Sequence, residues 1–260
     1  MKTGPATRQV KKNESNAPKH LYWAQRIVNP WYKMYLIFNS VRKCILILLL
    51  GCGVASAVEP EMSDYDYIAS QVFWNRLYDE GGWTLYCGYR FDLEGRSEEG
   101  YAIGIDQIYA TEWILDHLNC ASRSECYAQN KQFRQMEADM HNLYPAWSDL
   151  MVYRSGRSYG NIPGEDSRFD QCDFEWNPEI VEPRDLSKGN VARSILYMNR
   201  QYKLPVSAEM MAIMKAWNKQ DPPSEQERIR NDRIEQLQGQ RNPYIDNPGL
   251  ADRPGVVRGR

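Results

Sequence analysis

The stretch GIDQIYATEW, Gly104–Trp113, sets a carboxylate and an amide side by side, Asp106 and Gln107. They stand where an apolar alternation around Ile103 and Ile105 should bring a strand to its end. Oxygen donors of this kind can hold a hard cation, so the pair reads as the working end of a metal-dependent enzyme or as the remnant of one. Further on, Glu137 and His141 stand one helical turn apart in QMEADMHN and share a face. A carboxylate beside an imidazole can move protons, or can be a hydrogen-bonded pair with no chemistry to do. Arg123, between Cys120 and Cys126, joins Arg154, Arg157 and Arg168 as guanidinium groups that could form a phosphate-binding patch. No Ser-His-Asp arrangement, phosphate-cradling glycine loop or nucleotide fingerprint offers a different chemistry. With only three histidines (His20, His117 and His141) and no CxxC, the chain does not read as zinc-binding.

These groups need elements to position them. Ser63 caps a helix to about Asp79, with Ile68, Val72, Phe73 and Leu77 on one face, ended by Gly81-Gly82. WTLYCGYRF then reads as one strand and YAIGIDQIY as a second. From about Asn130, Phe133, Met136, Met140 and Leu143 recur at helical spacing until Pro145. The expected order is strand, strand, helix, with polar groups at the strand end and on the helix. Residues 147–183 read as irregular surface structure. Helices resume over Val191–Tyr202 and Ala208–Lys219, the latter capped by Ser207. SEQE, Ser224–Glu227, opens a last helix that stops at Gly239.

A chain of 260 residues with 42% hydrophobic content can bury a core of its own. Its formal charge of −2 hides an asymmetry. Residues 1–57 carry 9 Lys/Arg against Glu14 alone, which leaves 23 basic and 33 acidic residues beyond them, a net of −10. Such an acidic body is a poor global attractor for nucleic acid, and any phosphate-binding surface must be local. Arg42-Lys43, the apolar run CILILLLGCGV and Ala55-Ser56-Ala57 make a secretory signal peptide over 34–57. Were Met34 the start, 1–33 would be an N-terminal extension that is not translated. LLGC also allows a lipid anchor at Cys52. Four cysteines remain in the exported part, for which two disulfides in any of three connectivities are expected. Cys120 and Cys126 form the local pair, and Cys87 would then join Cys172.

Several stretches together resemble the bacterial endonuclease I family of periplasmic and secreted nucleases. They are GGWTLYCGYRF, QMEADMHNLYPA, YGNIPGE, GNVARSILYM and WNKQDPPSEQERIRNDRIEQLQGQRNPYID, in the family's order, and they span nearly all of residues 64–248. The resemblance implies a mostly helical α+β fold around a ββα-metal finger, occupying 58–248; the closing stretch 249–260, ending in ADRPGVVRGR, itself reads as a disordered tail. It implies cleavage of DNA or RNA with magnesium, a histidine base and a phosphate-holding arginine. Residue by residue, Asp106 stands at a metal-ligand glutamate and Gln107 at the base histidine. Met151 stands at a metal-ligand asparagine, with Asp149 nearby. Arg123 matches the phosphate arginine, and Glu137 a carboxylate near the metal. Arg154-Ser155-Gly156 replaces the family's Arg-Ser-Asn. An amide does not take up a proton near neutral pH, so a base contribution of about 10²–10⁴-fold should be missing. A thioether is a poor ligand for magnesium. The expectation is an exported member with a degenerate site. It would act on DNA or RNA with magnesium if competent, with His141 as a substitute base, and would bind envelope partners if not.

Overall fold

The computed structural model describes residues 60–92, 95–164, 169 and 171–253. The extension, the signal segment with Cys52, Arg168 and the last residues of the tail lie outside the described residues. The chain is an α+β protein, mostly helical, with small sheets.

It enters through a helical turn, α1 (Tyr65–Tyr67), that runs directly into a π-helix, Ile68–Leu77. The cap is Asp64 rather than Ser63. Its carboxylate accepts the Asp66 and Tyr67 N–H groups at 2.9 and 3.1 Å. Ile68, Val72, Phe73 and Leu77 are buried as their spacing foretold, in a small core with Leu143 and Ile234. WTLYCGYRF is not one strand but a hairpin of β1 (Gly82–Trp83) and β2 (Arg90–Phe91). Gly88, at φ +69°, reverses the chain between them, and the space a side chain would fill there is taken by the Arg184 guanidinium.

The two strands that frame the candidate site are β3 (Ile103–Gln107) and β4 (Leu143–Trp147), antiparallel with Asp106 opposite Tyr144 and Gln107 opposite Leu143. Between them the chain makes a helical excursion through α2 (Thr111–Leu118), α3 (Arg123–Gln129) and α4 (Lys131–Glu137). Here the expected order fails. The helical spacing from Phe133 to Leu143 belongs to three elements: α4, a 3₁₀ turn at Met140–Asn142 and β4, in which Pro145 is a strand residue. Asp139 breaks the helix. Its carboxylate caps the 3₁₀ turn through the His141 N–H and also accepts from the Tyr197 hydroxyl (2.8 Å), the Tyr202 hydroxyl (2.7 Å) and the Gln238 amide (2.9 Å). Tertiary bonds from distant helices outweigh local helical preference. Asn142 closes the excursion, accepting the Tyr109 N–H and donating to the Tyr109 carbonyl.

After β4 comes α5 (Ser148–Arg154), so the strand–strand–helix unit is β3, β4 and α5. The segment to 183 is more ordered than its composition suggests. β5 (Ser158–Tyr159), β6 (Phe174–Trp176) and β7 (Ile180–Pro183) form a sheet in the order β5-β7-β6. The helices α6 (Asp185–Tyr202), α7 (Ala208–Gln220) and α8 (Glu225–Gln238) follow, capped by Ser207 and Ser224 where expected. In place of a complete capping box, Glu227 pairs with Arg193, both side chains wholly buried. A short α9 (Pro243–Asp246) and a 3₁₀ turn, Pro248–Asp252, end the described chain. Ala251 is buried, so the fold continues past 248.

Two disulfides, Cys87–Cys172 and Cys120–Cys126, match the expected pairing. The first joins the β1–β2 hairpin to the three-stranded sheet; the second staples the approach to α3. Because Asp139 satisfies donors from α6 and α8 at once, Asp139→Ala should lower unfolding stability by roughly 3 kcal/mol, seen as a reduced urea midpoint at unchanged slope.

Candidate active site

The end of β3, the start of α2 and the face of α5 enclose a cleft of about 210 Å³. Asp106, Gln107, Met151 and Arg154 all line it, together with Tyr65 and Thr111. Four of the residues singled out in the sequence are thus brought together by the β3–β4–α5 unit.

Each is already committed within the protein. Asp106 is buried, and its Oδ2 accepts the Tyr86 hydroxyl at 2.5 Å. The Tyr86 and Tyr159 hydroxyls are 2.8 Å apart, Arg154 Nε donates to Tyr159 at 2.7 Å, and Arg154 stands 3.9 Å from Asp106. Carboxylate, two phenols and guanidinium close into one buried network. Burial pushes the Asp106 carboxyl up, opposed by Arg154 and the Tyr86 hydrogen bond. Burial and the neighbouring Asp106 charge likewise hold the Tyr86 phenol protonated.

Gln107 is bonded at both ends. Its amide nitrogen donates to the Glu137 carbonyl at 3.2 Å, and its amide oxygen accepts the Thr111 hydroxyl. Met151 lies over Gly104, with its sulfur 3.1 Å from where a β-carbon would stand, so a glycine in β3 is what admits the thioether. Arg154 is 1% exposed, donates to the Gln107 and Ile108 carbonyls and stacks on Trp113 and Tyr159. The expected nucleic-acid-binding role for it meets a side chain with no free surface to offer.

Glu137 lies next to the cleft. Arg123 holds it bidentately, Nε to Oε1 at 2.5 Å and Nη2 to Oε2 at 3.2 Å. The same guanidinium sits between the rings of Tyr65 and Tyr127 and reaches Asp66 at 3.4 Å. Burial raises the Glu137 carboxyl, opposed by Arg123. Arg123 is the half-exposed member of the pair, so a phosphate approaching it competes with an internal carboxylate.

His141 is elsewhere. Its position in the 3₁₀ turn, not on a continued helix, turns it away from Glu137 and the cleft and into the interior against Tyr197. It is fully buried, with Nε2 3.0 Å from the Gln240 carbonyl and Nδ1 without a partner. The reading as a substitute base is corrected on this point: no solvent or cleft atom meets the ring. Tyr86 and Tyr159 were not singled out in the sequence, although both lie in stretches that carry the family resemblance, GGWTLYCGYRF and YGNIPGE.

The match to known families decides the assignment. The sequence profile described as Endonuclease I matches residues 65–249. The chain belongs to the endonuclease I family. An extracellular deoxyribonuclease of Aeromonas hydrophila is 30% identical over 221 residues, covering 76% of this chain and 96% of that protein. A periplasmic deoxyribonuclease of the same organism is 29% identical, over 66% of this chain and 81% of that protein. An extracellular ribonuclease of Bacillus amyloliquefaciens is 33% identical over 78% of this chain and 73% of that protein. In this family member, the cleft formed by the end of β3, the start of α2 and α5 is where Asp106, Gln107, Met151 and Arg154 meet.

His141 also supplies a pH signature. Burial lowers its pKa from 6.5 to about 4. Between those values the unfolded chain takes up a proton that the folded chain refuses, so stability is lost as pH falls through the window. The slope is on the order of 1.4 kcal/mol per pH unit. A His141→Leu variant should lose this component, and the wild-type minus variant difference in Tm should shrink from pH 7 to pH 4.5.

Proposed function

We propose that this chain is an exported endonuclease I-family protein in which metal-dependent phosphodiester cleavage is reduced or lost, its fold kept as a binding or structural module of the cell envelope. The observation that carries the reading is the closed Asp106–Tyr86–Tyr159–Arg154 network. A family ligand position is occupied by a carboxylate that already has a hydroxyl donor and a guanidinium counter-charge. Magnesium favours several oxygen ligands at short, regular distances. The cleft offers instead Asp106 with one oxygen engaged, the Gln107 amide oxygen held by Thr111, a Met151 thioether and an exposed Glu112, with the neighbouring Glu137 held bidentately by Arg123. Among the described residues, no three His, Cys, Asp or Glu side chains gather as a metal site. The donor set does not fit a resident magnesium ion.

The base position fares no better. Hydrolysis needs a group that accepts a proton from water, and Gln107 has neither the basicity nor a free end. Two disulfides and the exported relatives support an oxidising compartment outside the cytoplasm. If any cleavage remains, its substrates are DNA or RNA, the substrates the relatives' names declare.

The test is a nuclease assay on residues 58–260 with disulfides intact, using plasmid DNA and RNA with magnesium or manganese and then EDTA. A Gln107→His/Met151→Asn variant is run in parallel. The unmodified protein should cut at least ~100-fold more slowly than the variant, the lower bound of a general-base contribution. EDTA-sensitive cutting by the unmodified protein at the variant's rate would sink the proposal.

A further inference from the structure

Away from the cleft, a second and larger cavity of about 490 Å³ lies between the β1–β2 hairpin, the first turn of α6 and α8. Its volume falls within the range of about 300–1,000 Å³ usual for small-ligand sites. Four large apolar side chains are exposed among the described residues, and three of them converge on this cavity from different elements. They are Trp83 (54% exposed) from β1, Leu186 (72%) from the start of α6 and Ile229 (46%) from α8. Scattered exposed hydrophobes are ordinary, but three at the mouth of one cavity are not.

The charges inside are uneven. Glu227 is consumed by Arg193, Glu80 by Arg233, and Arg90 faces Glu98. Two lining cations, Arg184 and Arg230, make no direct salt bridge among the described residues, although Asp221 and Asp173 lie near enough to Arg184, and Glu227 to Arg230, to interact electrostatically. Arg184 donates through Nε to the Leu85 carbonyl and the Ser187 hydroxyl. Arg230, 7% exposed, donates to Tyr78 and to the Met140 and Leu143 carbonyls and lies on the Tyr144 ring, while its Nη1 is buried without any partner. A buried guanidinium N–H left unbonded is a standing cost that an incoming anion would relieve.

We propose that this cavity is a binding site, separate from the nuclease cleft, for a small organic anion with an apolar body, such as an aryl or alkyl carboxylate. Trp83, Leu186 and Ile229 cover the apolar part, and Arg184 with Arg230 takes the charged group. Three of the neutral hydrogen-bonding groups of the lining are already engaged, which leaves Asn190 and Gln226 and few partners for the base and ribose edges of a nucleotide. Thr84 Oγ1 already accepts the Tyr89 N–H, Ser187 Oγ bonds the Leu85 carbonyl, and Ser224 Oγ caps α8. The site stands whether or not the cleft cleaves nucleic acid.

Isothermal titration of the purified protein with naphthoate, its neutral amide and adenosine monophosphate tests this. Naphthoate should bind about tenfold or more tightly than the amide, because only the acid engages the guanidinium pair. Arg184→Gln should remove that preference. Leu186→Ser/Ile229→Ser, at exposed positions that leave the core intact, should weaken naphthoate about tenfold. Amide-proton NMR shifts should map to 82–85, 186–187 and 226–230. Equal affinity for acid and amide, indifference to both variants, shifts centred elsewhere, or tighter binding of the nucleotide than of naphthoate would each overturn the proposal.

Discussion

A single buried guanidinium sets the geometry on which the candidate site depends. Arg154 arrives from the last turn of α5 and bonds the carbonyls at the end of β3, the Arg157 carbonyl and the Tyr159 hydroxyl of β5, beside the Asp106 carboxylate. Burying such a cation is tolerable only when its donors are spoken for and a counter-charge is near. Meeting that demand pins the two-stranded sheet, α5 and the three-stranded sheet to one another. The Cys87–Cys172 bond braces the same junction covalently, with Tyr86 next to it. The floor of the cleft is therefore cross-bonded, with the Arg154 guanidinium set beside the Asp106 carboxylate.

The other half of the protein is organised by the same device. Arg193 and Glu227 join α6 to α8 without solvent, and Arg193 also donates to the Asp221 carbonyl at the end of α7. Asp139 collects hydroxyls and an amide from α6 and α8. Arg230 spans from α8 to the backbone on both sides of Asn142. Each hub connects elements far apart in sequence, and each fixes direction in a way that apolar contacts, which lack directionality, do not. Arg230 differs from the rest in having a donor to spare.

How much of this was legible in the sequence follows from the range of the forces involved. The capped helices α7 and α8 were readable because Ser207, Ser224 and Gly239 act within a few residues of themselves. β3 was readable from its alternation, and the disulfides from cysteine spacing. The hairpin at WTLYCGYRF was missed because β-rich composition does not reveal that Gly88 adopts a positive φ. The break after Glu137 was missed because its cause, Asp139, works through partners some sixty to a hundred residues away. The small sheet of β5, β6 and β7 was hidden by short strands in Gly- and Pro-rich sequence. In the site, Asp106, Gln107 and Met151 were found together. Tyr86 and Tyr159 were not, since nothing local marks a phenol that will be buried against a carboxylate.

The helical excursion between β3 and β4 leaves the sheet after Gln107 and returns at Leu143, residues directly opposite each other in the ladder. Asn142 then ties the returning chain to Tyr109 by two side-chain bonds, and the Ile108 N–H donates to the Asn142 carbonyl. Entry and exit are thus one rung of a ladder apart, about 5 Å between α-carbons. A segment anchored this way places no demand on the span of the sheet that carries it. What fixes the excursion is its packing instead: Ile114, Phe133 and Met136 enter the main core, and Asp139 reaches α6 and α8. Stapled by its own Cys120–Cys126 bond, it is a loop set into one rung of the sheet yet anchored far from it.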